Sequence, residues 1–406
     1  MSWENVKLGD IADFSNGINF GKEAYGKGVK LIGVSNFGNR FSPDYDTLEE
    51  VKEEVVREND YLSAGDIVFV RSNGNKELVG RCMLVDSPKD KITYSGFCIR
   101  ARIKDITKHH PVFWTYHFKG KSFRKSMSGT AIGANIQNLS QGRLASYETS
   151  VPDHETQVRI ADILFAYDSL IENNQKQIKL LEEAAQRLYK EWFVDLRFPG
   201  YEDVEVVDGV PEGWRVASIA DICDTVGGGT PSTKIQSYYE KGDILWVTPT
   251  DITRNFSLAL LDTEKKITPE GLKNSSAKML PAETILMTSR ASVGFFGMCK
   301  YEVCTNQGFI SCIPKRENLQ MYLLFNLKSR VEEIRQKAGG STYLEISKTV
   351  FRELKIILPK DEVLAEYQKN VHDIFDEIYC RTEMIKSLVD MRNRLLPKLM
   401  SGEVEV

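Results

Sequence analysis

Two stretches of this chain carry the same helical pattern, displaced by 207 residues. In the first, Ile160, Leu164, Tyr167, Ile171, Asn174, Ile178, Leu181, Ala185, Leu188 and Trp192 recur at alternating spacings of 4 and 3. In the second, Tyr367, Val371, Ile374, Ile378, Arg381, Ile385, Leu388, Arg392, Leu395 and Leu399 repeat the register without a break. A sustained 3.5-residue spacing lays one apolar seam along a helix, and two such seams in one chain are buried most simply against each other. The seam is predicted to centre on Leu164, Ile171, Asn174, Ile178, Leu181 and Leu188 in one helix and on Val371, Ile378, Arg381, Ile385, Leu388 and Leu395 in the other.

Pro152 and Pro359 stand where each helix begins, a position at which a missing N–H is unneeded and φ is already helical. Asp153 and Glu155, or Asp361 and Glu362, complement the positive end of the helix dipole. At roughly 1.5 Å per residue, about forty residues make a rod of order 60 Å. Pro397 is expected to fray the second helix, because it removes a donor and crowds the preceding turn. Asn174 and Arg381 are polar at matching seam positions, so an antiparallel pairing centred there brings both into one layer, where a polar pair fixes register. The alternative is that the Arg381 head reaches solvent along its stem.

The segments before each helix echo each other more weakly. Leu8–Asp13 parallels Ile219–Asp224, each followed by a glycine-bearing turn, Asn16-Gly17 or Gly227–Gly229. Runs starting at Lys30 and Ile244, and at Gly65 and Glu283, have the length and β-branched content of strands. The latter pair end in Arg71 and Arg290; Ser95-Gly96-Phe97 then aligns with Gln307-Gly308-Phe309, and Leu139-Ser140 with Ile346-Ser347. The expected fold class is α+β. Two similar α/β lobes are joined and separated by two long antiparallel helices forming a coiled coil, with a pseudo-twofold internal repeat. The predicted divisions are a first lobe over 1–151, a helical region over 152–196, a second lobe over 197–358 and a second helical region over 359–406.

The net charge of −4 hides a segregation. Residues 151–209 carry 6 basic and 13 acidic side chains and 359–406 carry 7 and 10, whereas residues 71–125 carry 13 basic and 4 acidic. A basic face on an overall acidic chain is what phosphate contact requires, although a solvated surface with chance clustering gives the same counts. No run of about 18 apolar residues is present, and a cytoplasmic location is expected. The seven cysteines include no CxxC pair, which argues against a disulfide framework and a zinc knuckle; most are expected to be small buried apolar residues.

Catalytic constellations are missing from the pattern. There is no Asn/Asp-Pro-Pro-aromatic segment of the kind that methylates amino groups. Gly227–Lys234 fails the spacing of a phosphate loop and contains Pro231. His109, His110, His117, His154 and His372 lack metal-ligand spacing. What remains is recognition chemistry. Arg71, Ser72, Asn73, Asn75 and Lys76 crowd one turn, Ser289, Arg290 and Ser292 the comparable one, and arginine and asparagine are the side chains that read guanine and adenine edges. Thr130, Asn135 and Gln137, with Ser341, Thr342 and Tyr343, form a second polar loop pair suited to phosphate contact, and Thr230 and Ser232 lie in the glycine-rich turn.

Here the chain resembles the specificity subunits of type I restriction-modification systems. Leu188-Tyr-Lys-Glu-Trp-Phe-Val-Asp-Leu-Arg-Phe-Pro-Gly200 is similar to that family's central region. Gly228–Ser232 followed by Trp246–Ile252 looks like the opening of its target-recognition domains, and Leu395–Glu403 like its usual ending. The resemblance implies a non-catalytic subunit that reads a bipartite asymmetric DNA target, one half-site per lobe, with the helices setting the gap. It further implies two modification subunits that bind S-adenosylmethionine and methylate adenine, restriction subunits in the full complex, and no cofactor or metal on this chain. Two modules on one face of B-DNA must sit about 34–36 Å apart to enter successive major grooves, a spacing a stiff helix pair can enforce. The rival class is a coiled-coil adaptor whose lobes bind proteins; steep salt dependence of DNA binding separates the two.

Overall fold

The computed structural model describes residues 3–38, 40–75, 78–128, 137–340 and 343–406. It divides into two compact units, residues 1–171 with 388–406 and residues 172–387. Each unit therefore unites one lobe with part of both long helices. The reason is burial: Ile160, Ala161, Leu164 and Leu399 belong to the same core cluster as Phe69 and Trp114.

The sheets of the two lobes have the same strand order, while the second lobe adds the short helices Pro249–Thr253 and Pro269–Lys273. In the first, an antiparallel sheet runs Ala12–Asn16, Cys98–Ile103, Ile67–Val70, Cys82–Leu84. In the second, the matching sheet runs Cys223–Val226, Phe309–Pro314, Ile285–Thr288, Phe296–Gly297. Register is conserved to the residue, since Ala12 faces Ile103 as Cys223 faces Pro314. Each lobe adds a three-stranded sheet with one parallel pair, Lys30–Ile32 beside Ile92–Tyr94 and Trp246–Val247 beside Cys304–Thr305. Each is closed by its first and last strands, Trp3–Lys7 with Glu148–Pro152 and Arg215–Ser218 with Lys355–Leu358. Ile67–Val70 and Ile285–Thr288 are buried at every position, which is why they read as continuous runs rather than alternating ones. Short helices Gln141–Ala145 and Lys348–Arg352 follow serine N-caps, Ser140 accepting from the Arg143 amide and Ser347 from the Val350 amide.

The long helices span His154–Phe193 and Asp361–Ser401. Asp153 Oδ1 accepts the Thr156 amide at 2.9 Å, and that bond holds its carboxyl below the usual range. Contrary to expectation, the second helix runs through Pro397 without fraying. Leu399 is buried in the first unit's core, with Leu395, Leu396 and Met400 packed against it, so packing outweighs the one lost backbone bond. The helix stops instead at Gly402, whose φ of 72° suits a residue without a side chain. Among the seam positions, Leu164, Ile171, Asn174, Ile178, Val371, Ile378 and Ile385 are buried; Leu181, Leu188, Arg381, Leu388 and Leu395 are half-buried.

The three polar residues of the seam, Asn174, Arg381 and Arg392, all have partners. Within the second unit, Arg381 Nη1 donates to Asn174 Oδ1 at 3.1 Å and its Nη2 contacts Glu377 at 2.6 Å. The same unit pairs Tyr367 with Trp192, ring centroids 5.7 Å apart, so the two helix segments run antiparallel. Within the first unit, Arg392 bonds Asp168, which also accepts the Tyr116 hydroxyl at 2.6 Å. Burial, then the adjoining Asp168 charge, pushes the Tyr116 hydroxyl far above its ordinary pKa. Six cysteines are buried and Cys380 is exposed; burial raises the Cys82 thiol to about 11. No helix among the described residues is long and apolar enough to cross a membrane.

Candidate nucleic-acid interface

In the first lobe four loop segments converge at one end of the sheets. The Ile18 amide donates to Tyr94 O at 2.9 Å, and the Gly96 amide to Ile18 O at 2.6 Å. The Arg71 amide donates to Phe97 O at 2.8 Å, and Leu139 donates to Arg71 O at 2.9 Å. Ser72 and Asn73 form a short antiparallel ladder with Asn138 and Gln137. Gly17 must lack a side chain, because a Cβ there would sit 2.1 Å from Tyr94 O.

The second lobe repeats this geometry. Gly229 donates to Thr305 O at 2.9 Å, Ser289 to Gly308 O at 2.8 Å, Ile346 to Ser289 O at 3.1 Å. Arg290 bridges Glu345, and the Ala291 amide reaches Leu344 O at 2.9 Å. Gly228 takes the place of Gly17; its Cβ would meet Thr305 O at 2.0 Å. The bonds also correct two alignments made on sequence. Arg71 and Ser289 are the equivalent residues, each accepting at its carbonyl the amide of the residue just before a serine N-cap, Leu139 or Ile346, and donating to the neighbouring turn, and Arg290 lies one place further on. By the same bonds Phe97 matches Gly308, so Ser95-Gly96-Phe97 corresponds to Asn306-Gln307-Gly308. A shift of one residue reverses which face a strand side chain occupies, and an apolar-run comparison cannot detect it.

The predicted contact residues fall as follows. Arg71 is half-buried and its Nη1 donates to Gly96 O at 3.2 Å. Ser72 and Asn73 are half-buried, and Asn73 Oδ1 accepts the amide of exposed Asn75 at 2.7 Å. Thr230 and Ser232 are exposed, the Thr230 hydroxyl lying against Gln307 Oε1. Ser289 is only 3% exposed, so its side chain is inside the lobe and not on the surface where a ligand would meet it. Arg290 and Ser292 are exposed; Arg290 Nε donates to Glu345 Oε1 at 2.6 Å. Tyr343 is 71% exposed. Gln137 pairs through its backbone with Asn73, while Lys76, Thr130, Asn135, Ser341 and Thr342 lie outside the described residues.

Sequence reasoning missed Phe97, which is 61% exposed on the first lobe's loop end, and Thr250, Thr253, Asn306 and Gln307 in the second. The last four line a cavity of about 360 Å³ with Arg290 and Ser292. Part of the signal was present, since Ser95–Phe97 and Gln307–Phe309 already stood out as repeat landmarks beside glycine. Two cations stand at the start of the glycine-rich turn: the Lys348 ammonium lies against Gly227, and Arg352 Nη2 donates to Thr225 O in the strand before it at 3.1 Å. Carbonyls of the turn are taken by side chains, Trp246 Nε1 reaching Gly229 O at 3.0 Å and the Tyr239 hydroxyl Pro231 O at 2.6 Å. Elsewhere in the second unit Glu283, His372 and Asp376 gather within 4.8 Å, but Lys300 Nζ bonds Asp376 at 2.5 Å and the imidazole touches both carboxylates. That group is a salt-bridged staple between the lobe and the second helix.

Residues 1–183 and 211–389 match the family described as type I restriction modification DNA specificity domain. The chain belongs to that family and carries its domain twice. It is 38% identical over 173 residues to the type I restriction enzyme MjaIX specificity subunit of Methanocaldococcus jannaschii, covering 42% of this chain but only 39% of that relative. The HindI specificity subunit of Haemophilus influenzae is 26% identical over an alignment of 479 positions, gaps included, that covers 99% of each chain. The crystal structure of the type I restriction-modification S subunit from M. genitalium has the same fold, with a TM-score of 0.61 at 15% identity over 98% of this chain and 96% of that one.

Proposed function

We propose that this chain is the DNA specificity subunit of a type I restriction-modification enzyme, reading a bipartite asymmetric target with one half-site per lobe. The observation that carries the reading is the duplicated loop end: one backbone arrangement, held by matching bonds at Arg71 and Ser289, displays different side chains in the two lobes. That is the requirement for two reading heads with different preferences, since phosphate contacts position a protein while side chains at base edges specify the sequence. The long helices set the gap between half-sites and, being acidic, offer their outer faces to protein partners rather than to DNA.

The chain itself acts without catalysis. Two modification subunits, each binding S-adenosylmethionine and methylating adenine, and restriction subunits complete the assembly, in the cytoplasm. Sequencing adenine methylation in cells that express this chain with its modification subunit tests the reading. A split motif with a fixed unspecified gap is the expected result. Methylation without such a motif, or DNA affinity that stays flat as salt is raised, overturns it in favour of the adaptor reading.

A further inference from the structure

At the loop end of each lobe one three-residue turn keeps its backbone and changes its side chains. In the second lobe the Asn306 amide donates to Val247 O at 3.0 Å, and the Gly308 amide donates to Asn306 Oδ1 at 2.8 Å. In the first the Ser95 amide donates to Ile32 O at 2.9 Å, and the Phe97 amide donates to Ser95 Oγ at 3.3 Å. The third residue of each turn then accepts from the end of the central strand, Gly308 from Ser289 and Phe97 from Arg71, both at 2.8 Å. One scaffold thus presents Asn-Gln-Gly in one lobe and Ser-Gly-Phe in the other.

The second lobe's version has one-sided chemistry. Asn306, Gln307 and Arg290 line the same cavity of about 360 Å³. The carbonyl of the Asn306 side chain faces the Gly308 amide, which fixes the amide's orientation and leaves its NH2 group for a ligand. Gln307 turns Oε1 toward the Thr230 hydroxyl. Arg290 engages Glu345 through Nε, and a guanidinium carries donors only. The groups that Asn306, Gln307 and Arg290 have left over are donors, and the Thr250, Thr253 and Ser292 hydroxyls of the same cavity can donate beside them, a set that complements an edge made of acceptors. In the major groove guanine offers N7 and O6, both acceptors, whereas adenine sets a donor beside its acceptor and cytosine offers a donor.

We propose that the turn Asn306–Gly308, with Arg290, is the specificity-determining element of the second lobe and holds the guanine edge of a G·C pair. In the first lobe the equivalent turn offers no side chain at Gly96 and an exposed ring at Phe97, so it reads by apolar contact instead. The proposal rests on the chain being a DNA specificity subunit.

The test compares methylation motifs made by the complex of modification subunits with the wild-type chain, Asn306→Asp and Gln307→Ala. The carboxylate introduced by N306D occupies the same space as the amide: it keeps an acceptor for the Gly308 amide but exchanges the donor for an acceptor. The expected result is a loss of guanine preference at one position of one half-site, by about 5- to 150-fold, the range for a lost base-edge contact. Cytosine, whose N4 donates, should replace it, with the other half-site and the gap unchanged. Q307A, which leaves the Asn306–Gly308 bond intact, should relax the same half-site, and melting curves of both variants check folding. If the wild type methylates a split motif and both variants methylate the identical one, the proposal is overturned while the functional reading stands. If the wild type makes no split motif, the functional reading itself fails.

Discussion

The first and second lobes share a backbone but not a way of filling it. In the first, the helix Pro111–Lys119 buries Phe113, Trp114, Tyr116 and Phe118 in one cluster with Phe69 of the central strand, whereas in the second the helix Gln320–Ser329 buries Met321, Tyr322, Leu323, Leu324, Phe325 and Leu327, and Met287 stands at the strand position of Phe69. Strand registers and loop bonds are nevertheless the same, and so is the bare glycine at Gly17 and Gly228. The lesson is that the convergent loop end is specified by backbone hydrogen bonds and by one close approach, not by what packs beneath it. Side chains at its surface are then free to diverge, which is what separate half-sites demand.

The sharpest way to break the comparison lies at the seam. The first unit buries an ion pair, Asp168 with Arg392, whose side chains are 13% and 18% exposed, and adds the Tyr116 hydroxyl to it. The second unit has Asn174 with Arg381, a neutral acceptor and a cation that also reaches Glu377. Asp168→Ala leaves Arg392 without a carboxylate, though its Nη2 keeps Asn393 Oδ1 at 3.1 Å, and takes the acceptor from Tyr116; it should cost about 3 kcal/mol, the low end for breaking a fully buried pair. Asn174→Ala leaves Arg381 its carboxylate and should cost about 1 kcal/mol. Urea denaturation of the two variants measures both. Equal losses would mean the seam is held by its apolar layers alone.

A second difference concerns acid. Burial pushes His117 down to about 4 from an ordinary 6.5, and it lowers His109 and His110 as well; all three are in the first lobe. A histidine held neutral when folded takes up a proton more readily when unfolded. Its contribution to stability is therefore intact above about 6.5 and is lost as the pH falls toward about 4. Thermal unfolding of the wild type should show this loss between those values. His117→Leu, compared over the same range, should lose less, and an identical pH profile would show that the imidazole titrates as freely folded as unfolded.

Much of the architecture was legible from spacing alone. Long amphipathic repeats survive averaging over many residues, so the helices, their antiparallel pairing at Asn174–Arg381 and the duplicated lobes followed from a period of 3.5. Short strands were legible as elements but not in register. The lobes differ by 218 residues at the central strand and by 211 at its neighbour, and the loops absorb the difference, which is why a comparison of apolar runs pairs Arg71 with Arg290 and not with Ser289. Burial of Ser289 and the donor wall around Asn306 arise where separate loops meet, and no single loop sequence contains that information. Pro397 misled for a related reason, because a local helix penalty is decided by distant packing at Leu399.

The smallest predicted effect on stability separates folding from reading. Arg290 and Glu345 are 47% and 44% exposed, so their bond at 2.6 Å is a surface ion pair worth roughly 0.5 kcal/mol or less. Arg71 is half-buried and its guanidinium braces the Gly96 carbonyl, which makes it part of the loop scaffold and worth about 1 kcal/mol. Arg290→Ala should therefore leave the melting temperature nearly unchanged and relax one base position of the target. Arg71→Ala should lower the melting temperature and weaken binding across sequences, because the displaced turn carries Phe97 with it. Melting curves paired with methylation motifs distinguish the two. If Arg290→Ala melts like the wild type and also methylates the same motif, the arginine next to the cavity is only surface charge, and the contrast between scaffold and reader fails at the residue where it is most exposed.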